Sequence, residues 1–256
     1  VAATYKEKAV VLRAFDLGEA DRIVTLFTET RGLRRAVAKG IRRTASKFGA
    51  RLEPFTLLNG VVHEGRNLDT VVQVETIQAH AGLREDFDRY LFGEGMLEMI
   101  EKSLQENQTI PRLFPALCTS LDVLEGDVRE PALLLAAFDL KVCALIGYHP
   151  HLEQCLNCGR QVAGERVWLN LAGGGALCPD CRGGVDNLIP LAPPTLALLT
   201  QLITRDMASI SSLDPGRDAS LEALSLAFRF SEAFLERPLR SRSVVMGYLE
   251  VDRSDL

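Results

Sequence analysis

Long apolar runs are missing from this chain of 256 residues. The richest, Leu133–Phe138, is stopped by Asp139, well short of the roughly 18–20 residues that cross a bilayer. The opening Val-Ala-Ala-Thr-Tyr-Lys has no charged segment leading into an apolar core and a small-residue cleavage site. No secretory signal is therefore expected, and a cytoplasmic location is the default. Catalytic motifs are equally scarce. No Gly-Lys pair exists, which excludes a Gly-x4-Gly-Lys-Ser/Thr phosphate loop. Gly-x-Ser-x-Gly and His-Glu-x2-His are absent. The triple glycine Gly173–Gly175 lacks the flanking strand and helix that a dinucleotide loop needs. With four histidines in all and no evident pairing of carboxylates, the chain is expected to bind rather than to catalyse.

Positive charge is also in short supply. Lys and Arg number 29 against 34 Asp and Glu, a net charge of −5, which excludes a uniformly basic nucleic-acid-coating protein. The deficit is uneven. Residues 1–80 hold 13 basic and 9 acidic side chains, a balance of +4, and the remainder holds 16 against 25, a balance of −9. Such a split points to an anionic partner for the front third alone. A 47% hydrophobic and 25% charged composition is that of an ordinary globular chain.

Along the chain the hydrophobic period changes once. Ala9–Leu12, Ile23–Phe27, Leu33–Ala38, Phe55–His63 and Thr70–Ile77 are short runs of β-formers separated by turn signals. Five strands in this length fit a small closed barrel such as the oligonucleotide-binding (OB) fold, and an SH3-like barrel would give a similar pattern. From about Asp86 the apolar positions recur every three or four residues, which predicts helices. One follows Pro111 over 112–124, one opens at Pro131, one at Pro193-Pro194 through about Thr204, and one runs from an Asp218 cap to about Leu235. The last of these is apolar on two sides, with Leu221, Leu224, Phe228 and Leu235 on one and Leu226, Phe230 and Phe234 on the other, as expected for the centre of a bundle. Residues 147–190 are broken by glycines and prolines and have too few apolar side chains for a core of their own.

That glycine-rich stretch contains four of the six cysteines. Cys155-Leu-Asn-Cys158 and Cys178-Pro-Asp-Cys181 are separated by 19 residues, a spacing that predicts a tetrahedral zinc site. Each Cys-x2-Cys turn offers two thiolates, and two such turns complete a closed, structural site for one Zn2+. Two disulfides or four free thiols are the alternative, disfavoured in a reducing compartment. A second rival is the zinc-deaminase pattern, with His151-Leu-Glu153 and Cys178-x2-Cys181 holding a catalytic metal. Leu177 stands where that pattern has Pro, and the other two cysteines would then have no role. Cys118 and Cys143 lie singly in helical pattern, as buried free thiols do.

Residues 31–51 hold Arg31, Arg34, Arg35, Lys39, Arg42, Arg43, Lys47 and Arg51 without one acidic side chain. Solvated surfaces mix signs, so a run of one sign calls for an anion, and nucleic-acid phosphate is the natural complement. Phe48, between Lys47 and Arg51, is placed either to stack on a base or to pack at the root of the hairpin. Contact with four to six phosphates of a single strand predicts a log-log salt slope of about −3 to −4.

The order of these parts resembles one family. The run Lys8-Ala-Val-Val-Leu-Arg-Ala-Phe-Asp-Leu-Gly-Glu-Ala-Asp-Arg-Ile-Val-Thr-Leu-Phe-Thr28, the segment Gly32–Gly40 leading to Arg42-Arg43, and Gly147-Tyr-His-Pro-His-Leu-Glu-Gln-Cys155 are similar to the RecO family of bacterial recombination mediators. The resemblance covers essentially the whole chain. It implies a non-enzymatic DNA repair protein that binds single- and double-stranded DNA and anneals complementary strands. It also implies partnership with the RecR ring in loading RecA recombinase onto DNA covered by single-strand-binding protein, and hence a place at the nucleoid. DNA contacts carried over from the family fall on Arg34, Arg35, Lys39, Arg42, Arg43 and Lys47, to which the run itself adds Phe48 and Arg51. The competing expectation is a zinc-braced adapter for RNA or an acidic protein. The expected architecture is α+β and multidomain: a five-stranded OB-fold barrel at 1–80, an all-helical domain at 81–154 and 182–256, and an inserted four-cysteine zinc module at 155–181.

Overall fold

Strand alternation carries the first third of the molecule. The computed structural model describes residues 3–42 and 48–251, and its contacts divide it into two units, Val1–Gly93 with Ile100–Glu125 and Glu94–Met99 with Gly126–Leu256. The first unit begins with β1 (Thr4–Leu17), β2 (Asp21–Thr28), β3 (Gly32–Ala38), β4 (Leu57–His63) and β5 (Asp69–Gln78). Ala9, Val11, Val24, Leu26, Ala36, Ala38, Leu58, Val71 and Val74 face inward and form its core, with Ile41, Phe48 and Leu52 closing one end. β1 makes antiparallel ladders with both β2 and β4, and β2 with β3 and β4 with β5 likewise.

At the remaining seam β3 and β5 run parallel and share only Ala36↔Asp69 and Val37↔Thr70, which closes the strands in the order β1-β2-β3-β5-β4 through one short contact. The reason is chemical. Asp69 is buried at that seam and takes hydrogen bonds from Tyr5 Oη, Arg34 Nε and the Gly65 amide, so a polar cluster stands where a ladder would run.

The same unit contains α1 (Ala81–Glu85), both ends of α2 (Phe87–Ser103) and α3 (Leu113–Glu125). Asp86 caps α2 by accepting from the Arg89 amide at 3.0 Å. His80, 2% exposed, ties the turn before β4 to α3: its ring nitrogens lie 2.9 Å from the Phe55 carbonyl and 2.9 Å from Asp122. Phe27 of β2 packs on Phe114 of α3 with ring centroids 5.6 Å apart, which covers one end of the outer sheet face.

In the second unit α4 (Pro131–Leu145) packs against α5 (Pro193–Thr204), α6 (Met207–Ser211) and α7 (Arg217–Leu235), and α8 (Arg240–Val251) follows on α7. Pro131 occupies the first turn of α4, where its missing N–H costs nothing. α7 is buried on both expected sides, including Leu224, Leu226, Phe228 and Phe230. It starts at Arg217 after Gly216 instead of after an Asp218 cap. The expectation of an all-helical domain over 182–256 is corrected at one short strand. β6 (Val167–Asn170) and β7 (Gly175–Leu177), a hairpin within the expected 155–181 module, are joined by β8 (Ile189–Leu191), and Val162, Val167, Leu169, Ala176, Leu177 and Leu191 are buried. A strand of three residues such as β8 offers too few alternations to be read from sequence. No described helix is long and apolar enough to cross a membrane.

Candidate metal centre and nucleic-acid face

The cysteine pairs converge because two turns are pinned to the same short strand. Leu156 donates its amide to the Ala176 carbonyl at 2.9 Å, and Gly159 closes the first turn on the Cys155 carbonyl at 2.9 Å. A 3-10 turn over Pro179–Cys181 forms the second, with the Cys181 amide on the Cys178 carbonyl at 3.1 Å. Gly175 allows the close approach: a Cβ there would sit 2.4 Å from the His151 carbonyl oxygen. All four Sγ atoms lie within 4.8 Å of one another, and Cys158 and Cys178 are 3.9 Å apart.

These four thiols are unoxidised, at separations far beyond the roughly 2.05 Å of a disulfide. They approach the edge of about 3.8 Å set by four sulfurs about 2.3 Å from a central zinc. Burial pushes the Cys155 thiol up, but the amides of Cys178, Cys158 and Asn157 outweigh it and hold the group down, whereas at Cys181 the lowering by Asn157 is outweighed by Cys178, Cys158 and Cys155, which push it up, so the cluster's negative charge settles first on Cys155. Among the described residues these cysteines are the one group of three or more potential ligands close enough to share an ion. His151 and Glu153 do not join it. The cluster therefore has the donors of a closed site and lacks the histidine and glutamate of the deaminase pattern.

The basic run divides into residues with different surroundings. Arg34 alternates with Arg35 and so points to the side of Ala36 and Ala38, both fully buried. Its guanidinium is held by Asp69 at 2.8 Å and by Asn107 Oδ1 at 2.5 Å. Asp69 is in turn held below the usual carboxylate range: burial pushes it up, but hydrogen bonds from Tyr5, Gly65 and Arg34 outweigh that. Arg35 and Lys39 lie on the opposite side, exposed, and among the described residues neither has an acidic partner. Arg42 is exposed but turned toward the β1–β2 turn, with Nη1 on the Gly18 carbonyl at 3.0 Å and Nη2 3.4 Å from Asp16.

Arg51 is exposed on the 3-10 turn Gly49–Leu52. Arg43 and Lys47 fall outside the described residues. Phe48 is 2% exposed within the sheet core, which corrects its assignment as a base-stacking residue in favour of packing at the hairpin root. An aromatic that the sequence analysis gave no role, Phe15, is 53% exposed instead.

Comparison with known proteins covers nearly the whole chain. Residues 2–80 match the family model described as Recombination protein O N terminal, and residues 84–243 match Recombination protein O C terminal. A protein named DNA repair protein RecO from Nocardioides sp. is 42% identical over 250 residues, covering 96% of this chain and 99% of its own. Proteins of the same name from Thermobifida fusca and Frankia casuarinae are each 40% identical, over 94% and 96% of this chain and 98% of theirs. Matched in both parts and by near full-length relatives, the chain belongs to the RecO family of non-enzymatic DNA repair and recombination mediators.

Proposed function

We propose that this chain holds single- and double-stranded DNA on the outer side of β3, anneals complementary strands and, with RecR, helps load RecA recombinase onto DNA covered by single-strand-binding protein in the cytoplasm. The observation that carries the DNA contact is the exposure of Arg35 on β3 and of Lys39 just past its end, without carboxylate partners among the described residues. Arg42, Arg43, Lys47 and Arg51 add charge in the segment that follows, and Arg34 braces the seam with Asp69. The four cysteines hold one structural Zn2+, the metal whose preferred donors and closed geometry match the set. Annealing then requires no ATP. Two phosphate backbones repel, and a cationic face that releases counterions from each lowers the repulsion.

Mixing complementary labelled strands tests this. The wild-type protein should accelerate duplex formation, and the double variant Arg35→Glu/Lys39→Glu should bring the rate close to the spontaneous one while far-UV circular dichroism stays unchanged. Wild-type annealing no faster than the spontaneous rate rejects the proposal.

A further inference from the structure

A β-bulge near the start of the chain changes what the outer sheet face presents. Ala9 and Val11 of β1 point into the core, and simple alternation would send Arg13 and Phe15 inward after them. The register between β1 and β2 shifts between Val11 and Arg13, from Val11↔Leu26 to Arg13↔Thr25, so an extra residue reverses the alternation beyond it. Ala14 then packs on the core, and Arg13, Phe15 and Leu17 emerge on the outside.

Register places their neighbours. Phe15 pairs with Ile23 and Ile23 with Val37, while Arg13 pairs with Thr25 and Thr25 with Arg35. Directly paired side chains share a face. The outer face of β1–β3 therefore carries a row of Phe15, Ile23 and Val37, spanning about 10 Å across three strands. Arg35 lies two residues to one side of that row along β3, about 7 Å from it, and Lys39 follows the other end of β3 in the turn that begins there. Phe15 is 53% and Leu17 40% exposed, and Ile23 and Val37 are half-buried.

Three acidic side chains of this region are engaged. Asp21 accepts from the Gly40 amide at 2.7 Å, Asp16 faces the other side with Arg22 and Arg42, and Glu101 holds Arg13. An exposed aromatic row flanked by unpaired cations is the arrangement that single-strand binders use, with bases on the rings and phosphates on the cations.

We infer that Phe15 is a base-stacking residue, and that the row Phe15–Ile23–Val37 receives unpaired bases of single-stranded DNA while Arg35 and Lys39 hold the flanking phosphates. This rests on the DNA face proposed above and adds to it a discrimination: stacking needs unpaired bases, so it acts on single strands and not on duplex. It also separates two contributions to affinity, because charge neutralisation depends on salt and stacking does not.

Equilibrium titration of the full chain with an oligo(dT) strand, a duplex of equal length and an abasic strand of equal length tests the assignment. Phe15→Ala should weaken oligo(dT) binding roughly tenfold, with the salt slope unchanged and with duplex and abasic affinities within about twofold of wild type. Phe15→Trp should restore oligo(dT) affinity and show indole emission quenched by oligo(dT) and not by the abasic strand. Oligo(dT) binding by Phe15→Ala equal to wild type overturns the stacking role, as does an equal loss on all three ligands. Wild-type affinity in Arg35→Glu/Lys39→Glu overturns the underlying DNA face instead, so the two failures are distinct.

Discussion

Asp139 stands in the middle of α4, fully buried, and neither of its carboxylate oxygens has a hydrogen-bond partner among the described residues. Burial, with the nearby charge of Glu98 added, pushes its carboxyl well above the usual range. Glu98 itself has a clear task, accepting the amides of Arg240 and Ser241 at 3.0 and 2.7 Å in the first turn of α8, where a negative charge is favoured. Asp139 has no comparable partner, so the proton is its means of staying buried. The sign for stability follows from linkage. A folded-state value above the unfolded value of about 3.9 makes the contribution full below that value and lost as pH rises through the folded one. Over that window the folded chain keeps a proton that the unfolded chain has released, and stability falls with pH by up to about 1.4 kcal/mol per unit. Asp139→Asn, equal in shape and unable to ionise, should flatten that fall. Urea midpoints at pH 5.5 and pH 8 measure it, and an unchanged difference between the two would refute the account.

At the scale of elements, the cysteine module tests how far a metal supports local structure. Its core is a few side chains around three strands of three or four residues, too little to hold the two Cys-x2-Cys turns together unaided. Metal analysis should find one zinc per chain. Chelation should expose the segment between Cys155 and Leu191 to protease while the helical circular dichroism changes little. Far less than one zinc, with four titratable thiols in the native protein, would count against the site.

This module also marks where sequence reasoning succeeds and fails. The four clustered cysteines were legible because the Cys-x2-Cys turns are local and their spacing is chemical. The helices opened by Pro131 and Pro193 were legible for the same reason, since proline at the first turn is a local signal. β8 and α8 were not, the first for its length and the second because it opens on Arg240-Ser-Arg242 and gives little apolar period. That Phe48 is buried and Phe15 exposed was not legible either. The bulge that turns Phe15 outward is a property of its pairing with β2, which β1 alone does not encode. Arg34 and Arg35 are adjacent and chemically identical, and only the buried Asp69, 35 residues away, separates a brace from a contact.

For the molecule as a whole, the net charge of −5 opposes DNA, and the exposed cations of β3 must act against it. Which wins depends on the reach of the field. At 0.1 M salt the Debye length is about 10 Å, so the sheet face is governed by Arg35, Lys39 and their neighbours, and charge more distant than that is largely screened. At 0.01 M the reach grows to about 30 Å, and acidic side chains far from the face begin to repel the same phosphates. Affinity for a single strand should therefore follow a straight log-log line at moderate salt, with a slope of about −0.7 per phosphate neutralised. Below about 0.03 M it should fall under the extrapolation of that line as the remote acidic charge comes within range. The double variant Arg35→Glu/Lys39→Glu should lose about 1.4 units of slope if each cation holds one phosphate. Fluorescence titration of oligo(dT) from 0.3 M down to 0.01 M salt decides the matter. A line straight to the lowest salt would mean that the acidic majority of the chain is not felt at the face, and that the uneven charge has no part in confining DNA to it.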